Sequence, residues 1–97
     1  MTKVDLRKEA RGRDCQVRLP GICNHSPETV VLAHYRIAGL NGVGQKPDDI
    51  LGAWCCVACH DACDFRVKTN YTREELRLAL AEGVFRTQQI LRMEGKL

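Results

Sequence analysis

Ten residues, "CCVACHDACD" from Cys55 to Asp64, hold four of the six cysteines of this 97-residue chain. Such density allows three folding solutions: half of a disulfide scaffold, a structural metal knot, or part of a catalytic site. A domain of this length buries a modest share of its surface. With aromatics at only 5% of residues its core is thinner still. A covalent or metal staple is therefore expected. Disulfides need an oxidising compartment. The opening residues, "MTKVDLRKEARGRD", are mixed in charge and carry no apolar signal-peptide core. No run approaches the ~18 apolar residues of a membrane span. A reducing cytoplasm is the expected setting, where clustered cysteines serve as metal ligands or catalytic groups.

Cys56-x2-Cys59 is the strongest local signal. Two thiolates at that spacing, on a turn entering a helix, chelate one tetrahedral zinc ion. The other two ligands must come from elsewhere. Cys15 and Cys23 are the candidates, with Pro20-Gly21 between them as a turn that brings their ends together. A four-thiolate site of Cys15, Cys23, Cys56 and Cys59 would pin the N-terminal third to the later helix, and its binding free energy would become folding free energy. His25 is a substitute for Cys23. The plainer alternative makes Cys15 and Cys23 ordinary buried thiols. Cys55 and Cys63 are read as small packing residues. A thioredoxin-like role for Cys56 and Cys59 lacks the βαβ context that it needs.

His60 and Asp64 are four residues apart, so they share a helix face. An imidazole and a carboxylate so placed can hold a divalent ion with open coordination positions, as a catalytic metal requires. A surface hydrogen-bonded pair has the same spacing. Asp61 falls on another face and reads as a solvated acid. His34 follows the apolar run "VVLA". A histidine there is commonly structural, yet a strand-borne imidazole facing a helix-borne metal pair suits phosphodiester hydrolysis.

The rest of the chain supplies the frame. Cys15–Leu19 alternates and reads as a strand, Pro20–Glu28 as turn chemistry, and Thr29–Ile37 as the best strand, the three forming a hairpin with a long connection. Ala38–Asp49, with three glycines and a proline, is a loop of functional length. Ile50–Trp54 is a short strand or turn, and a short helix runs from Val57 to about Val67. Thr72-Arg73-Glu74-Glu75 is a capping box. The helix it opens, residues 73–93, carries Leu76, Leu80, Val84 and Leu91 down one face and stops at Gly95.

Net charge is +3, a mild bias, but ten of the fifteen cations are Arg, which forks onto phosphate oxygens. Residues 1–18 hold six cations against three acids, and residues 1–14 read as a loosely held basic arm or a solvated face. Arg11, Arg13, Arg18 and Arg36 are the expected nucleic-acid contacts.

In this order (strand with His, loop, short strand, CxxCH opening a helix) the chain resembles the His-Me finger (HNH) endonucleases. The resemblance implies an α+β, zinc-stapled ββα-metal core, with His34 as general base and His60 and Asp64 as ligands of a catalytic Mg²⁺ or Mn²⁺. The segments "DLRKEARGRDCQVRLPGICN", "PET", "LAHYRIAGLNGVGQKP" and "CVACHD", with Asp64, resemble more closely the YbcO-like nucleases of lambdoid prophages, over nearly the full chain. That implies a phage-borne nuclease acting on DNA, including branched recombination intermediates. Two positions depart from the His-Me finger pattern. Ala33 stands where a second metal ligand precedes the base, and the middle Asn has only Asp49, and more weakly Asn41, as counterparts. The rival reading is a non-catalytic zinc-stapled nucleic-acid-binding module. A third is an adaptor that uses the C-terminal helix as a homodimer surface.

Overall fold

The computed structural model describes residues 4–37, 39 and 48–97. Most of the loop expected over residues 38–49, Asn41 included, and Lys3 of the basic arm lie outside the described residues. The architecture is α+β. Helix α1 (Leu6–Glu9) leads through an irregular segment and a 3-10 turn at Pro27–Thr29 into strand β1 (Val31–His34). A second 3-10 turn, Asp49–Leu51, leads into β2 (Gly52–Cys55), followed at once by α2 (Val57–Cys63) and then α3 (Arg73–Met93).

β1 and β2 form a two-stranded antiparallel sheet in which Leu32 faces Trp54, Ala33 faces Ala53 and His34 faces Gly52. The expected hairpin partner of β1, Cys15–Leu19, is not a strand. Its Gln16 N–H reaches the Trp54 carbonyl, but Arg18 adopts φ 52°, and that left-handed turn ends any extended run. Val17 and Leu19 are nevertheless buried in the core, so the apolar alternation was packing without a ladder.

Helix α3 crosses β2 at close range. At Gly83 a Cβ would lie 2.8 Å from Val17 Cγ2 and 3.3 Å from Ala53 Cβ, so only glycine permits this approach. Leu76, Val84 and Leu91 are buried along the same helix, as its spacing implied. The capping box forms: Thr72 N–H donates to Glu75 Oε1 at 2.7 Å, and Glu75 N–H to Thr72 Oγ1 at 3.1 Å. At the other end Gly95, at φ 75°, stops the helix, and Lys96 N–H reaches back to the Leu91 carbonyl.

Among the described residues the outer edge of β2 has no third strand, yet the backbone groups of Trp54 there are satisfied. Buried Thr87 of α3 accepts the Trp54 backbone N–H at 3.0 Å. Replacing Thr87 with valine keeps the shape and orphans that donor, so urea unfolding should show a loss of about 1–3 kcal/mol. A change within error would mean that the hydroxyl is idle.

Residues 5–14 differ from the expected loose arm. Asp5 caps α1 and Ala10 is buried. Arg13 grips Glu94 through both guanidinium nitrogens at 2.6 Å, and also bonds Glu9. Lys96 Nζ bridges Glu9 and Glu94. Arg13 also lies over the Trp54 ring, 4.4 Å from its centroid. The two chain ends are thereby tied together. Hydrogen bonds from Arg13 and then Lys96 hold the Glu94 carboxyl down at about 2, against an ordinary 4.5. A depressed carboxyl stabilises the fold above its unfolded value and loses that contribution as pH falls through the folded one. The stability difference between parent and Glu94→Gln should therefore be full above about pH 4.5 and vanish towards pH 2. A constant difference across that window in denaturant titrations would discount the clamp.

Candidate functional site

The cysteines resolve first. The Sγ atoms of Cys15, Cys23, Cys56 and Cys59 all lie within 4.8 Å of one another. Cys56 Sγ and Cys23 Sγ are 3.8 Å apart, which matches the edge, about 3.8 Å, of a tetrahedron with Zn–S bonds of ~2.3 Å. The Pro20-Gly21 turn makes this convergence possible. Gly21 takes φ 76°, the left-handed value a type II turn needs after proline. Ile22 and Cys23 N–H groups close back onto the Leu19 carbonyl, and the Tyr71 hydroxyl donates to the Pro20 carbonyl. On the other side Cys56 is the N-cap of α2, and its sulfur accepts the Cys59 N–H at 3.4 Å. Arg18 N–H donates to Cys15 Sγ at the same distance.

Four sulfurs this close cannot all ionise unless a cation joins them. The Cys15 thiol is pushed far down by S–H groups of Cys55 and Cys59 that donate to it. Cys59 is pushed up by its bond to Cys15, and Cys23 by burial. A divalent cation held by Cys15, Cys23, Cys56 and Cys59 would take the place of the protons these four thiols share. The residues fit a metal ion such as zinc in donor type, number and spacing. His25 stands beside the set, its Nδ1 3.7 Å from Cys23 Sγ. Cys55 is fully buried and its thiol is pushed up by Cys15. Cys63 is pushed up to about 11 by burial, and its S–H points at the Leu76 carbonyl. All six cysteines are free thiols.

A cleft of about 540 Å³ opens between α1, β1 and the end of α2, lined by Arg7, Arg11, Leu32, His34, Arg36, His60, Asp64 and Arg66 among others. His34 reaches it because it ends β1 and alternation turns it opposite to Ala33. Gly52 sits across from it, and a Cβ at Gly52 would collide with the Leu32 side chain. His34 Nε2 is 2.8 Å from Asp49 Oδ1. That hydrogen bond, then the nearby Arg7 charge, lowers the Asp49 pKa. Asp49 is thus a fixed carboxylate acceptor. Accepting a hydrogen bond from Nε2 would favour the tautomer that leaves the His34 Nδ1 lone pair free.

Across the cleft, α2 presents His60 and Asp64, Nε2 to Oδ2 at 3.2 Å. Arg66 reaches Asp64 Oδ2 at 3.3 Å and Asp61 Oδ1 at 3.2 Å. Ala33, 2% exposed and opposite the fully buried Ala53, is turned into the core and contributes no donor. Of the four arginines singled out in the sequence, Arg11 and Arg36 line the cleft. Arg13 is consumed in the Glu9–Glu94 network, and Arg18 bonds the Cys15 carbonyl and Gln16 beside the cysteine cluster. Arg7 and Arg66 were not singled out. Arg7 enters through α1, at 3.5 Å from Asp49, and Arg66 through the turn after α2. No periodic signal marks either.

The assembly is a small α+β domain with a four-cysteine metal-type cluster on one side of the α2 start and an arginine-rich histidine cleft on the other. A family profile described as "Putative nuclease YbcO" matches residues 4–96. The chain is 52% identical over 95 residues to "Putative nuclease YbcO" of Escherichia coli (strain K12) and equally to "Putative nuclease ybcO" of Enterobacteria phage 82, covering 95% of this chain and of each relative. A solved structure described as "a putative bacteriophage protein from Escherichia coli str. K-12 substr. MG1655" superposes with a TM-score of 0.79 at 44% identity, over 94% of this chain and all of that one. The chain belongs to the YbcO family. Among the described residues no helix is long and apolar enough to cross a membrane.

Proposed function

We propose that this protein is a metal-dependent endonuclease of the His-Me finger type, hydrolysing phosphodiester bonds in DNA. The observation that carries the reading is the Asp49–His34 pair facing His60 and Asp64 across one arginine-lined cleft. The order β1, β2, α2 supports a ββα core, and the family's nuclease description supports the chemistry.

In this mechanism Arg7, Arg11 and Arg36 hold the backbone phosphates by charge-assisted hydrogen bonds. Asp49 keeps the Nε2 proton on His34, and Nδ1 takes a proton from the attacking water. His60 and Asp64 offer one nitrogen and one carboxylate, which suits a Mg²⁺- or Mn²⁺-type ion with open positions. When bound, such an ion stabilises charge on the phosphate and leaving oxygen. Arg66 already holds Asp64 through Oδ2, and a phosphate oxygen is an alternative partner for its guanidinium.

One observation favours a second reading. With Asp64 already engaged by His60 and Arg66, and Ala33 in the core, the ion would rest on two protein donors. A non-catalytic, metal-stapled DNA-binding module would look the same. Plasmid nicking separates the two: cleavage on addition of Mg²⁺ or Mn²⁺ supports the endonuclease, while salt-sensitive binding without any cleavage supports the module.

A further inference from the structure

We propose that the solvent-facing side of α3 is a dimer surface that receives a second copy of this chain, packed antiparallel across a two-fold axis. The inference stands apart from the endonuclease reading and uses none of the cleft residues.

Helix α3 spends Leu76, Val84 and Leu91 on the core. The face that remains still carries large apolar groups. Leu78 is 61% exposed, Phe85 67% and Met93 77%, and Leu97, just beyond the helix, is exposed as well. Phe85 borders a hollow of about 550 Å³ whose other lining residues are Gln88, Gln89, Arg92 and Leu97. Its four helical members, Phe85, Gln88, Gln89 and Arg92, are spaced i, i+3, i+4 and i+7. A socket of four residues on one helix is what receives a side chain of the facing helix in knobs-into-holes packing. Gln88 fixes one wall by donating to the Ile50 carbonyl at 2.6 Å. Along the same face Leu78, Glu82, Phe85, Gln89 and Arg92 follow one another at steps of four, three, four and three. That is the seam spacing of a two-helix contact, and all five residues are exposed.

The charges along this seam choose the occupant. A two-fold contact must satisfy itself, because each copy offers the same patch. Seating Phe85 in the partner's hollow places it beside the partner's Gln89. In an antiparallel pair the same register brings Glu82 opposite the partner's Arg92 and, by symmetry, Arg92 opposite the partner's Glu82. Among the described residues neither Glu82 nor Arg92 is in an ion pair within its own chain. Leu78 then falls over the partner's helix-ending turn, where Leu97 is exposed. A parallel pair would instead set Glu82 on Glu82 and Arg92 on Arg92, a like-charge arrangement that costs free energy. A nucleic-acid backbone would likewise meet Glu82 as a like charge. Because α3 is already folded on the sheet, pairing carries no helix-nucleation cost. The contact is one helix wide and belongs at the small end of specific interfaces, below about 1,200 Å². The dimer should therefore form and dissociate over the micromolar range.

The test is sedimentation velocity on the full-length, metal-loaded protein from micromolar to submillimolar concentration. The parent should pass from monomer to dimer as concentration rises. Phe85→Ala should raise the dissociation constant about tenfold or more, the effect of removing an anchor at the centre of an interface. Because Phe85 faces solvent in the monomer, that variant should melt with the parent when both are dilute. Glu82→Arg and Arg92→Glu each set like charges against one another twice, so each variant alone should stay monomeric over the same range. An equimolar mixture of the two should recover a dimer, because every facing pair is then opposite in charge again. Mixing cannot rescue a merely structural defect in either variant.

A parent that is monomeric at the highest concentration overturns the proposal, and if Phe85→Ala then lowers DNA affinity the face belongs to nucleic acid instead. A dimer that ignores Phe85→Ala overturns it as well, since the contact then lies on another surface. A mixture of Glu82→Arg and Arg92→Glu that stays monomeric overturns the antiparallel register.

Discussion

Replacing Cys59 with serine should abolish stoichiometric zinc binding and erase the cooperative thermal transition. Cys59 is fully buried at the start of α2, and its sulfur is one of four that meet within 4.8 Å. Structural zinc contributes apparent binding free energies of about 10–16 kcal/mol in small modules. A domain of this size has a net stability of about 5–15 kcal/mol. Losing the metal would therefore remove a free energy comparable to the whole margin. Cys55→Ser is the control. Cys55 is just as buried but lies outside the four-sulfur set, so that variant should keep one zinc per chain. Metal content by mass spectrometry and melting by circular dichroism decide the matter. A Cys59→Ser protein that still carries one zinc and melts like the parent would sink the four-cysteine site.

His34→Ala should lower metal-stimulated plasmid nicking by about 10²–10⁴-fold, the usual worth of a positioned general base. His34 is only partly buried and ends its strand, so the melting temperature should move little. If the cleft arginines carry DNA binding, as proposed, that binding should persist. Asp49→Asn should give a partial loss, because the charged partner of His34 Nε2 is replaced by a neutral amide of the same size. A folded His34→Ala protein that nicks as fast as the parent would remove the general-base role. Asp64→Ala, measured in the same assay, should lose cleavage that added Mn²⁺ restores only in part.

The local elements were the most legible. A capping box, a 3.6-residue apolar period and a terminal glycine each act within one helix, so α3 could be read to its limits from neighbouring residues. The start of α2 was equally plain because CxxC opens it. Strand pairing was not. Cys15–Leu19 alternates like a strand, yet the left-handed turn at Arg18 and the closeness of α3 at Gly83 turn it into packing. The arginines divided for a similar reason. Arg11 and Arg13 look alike in sequence, but Arg13 finds Glu94, eighty-one positions away, and is spent on it.

By itself, then, the sequence determined the composition of both sites: which thiols could staple the fold, and which imidazoles and carboxylate could face one another, because ligand chemistry and helical spacing are local properties. Only the tertiary structure decided how they are used. It brought Cys15 and Cys23 to Cys56 and Cys59, coupled Asp49 to His34, set Arg66 on Asp64 and turned Ala33 into the core. Each of these depends on where distant segments pack, and packing is selected by the whole buried surface at once rather than by any one stretch of chain.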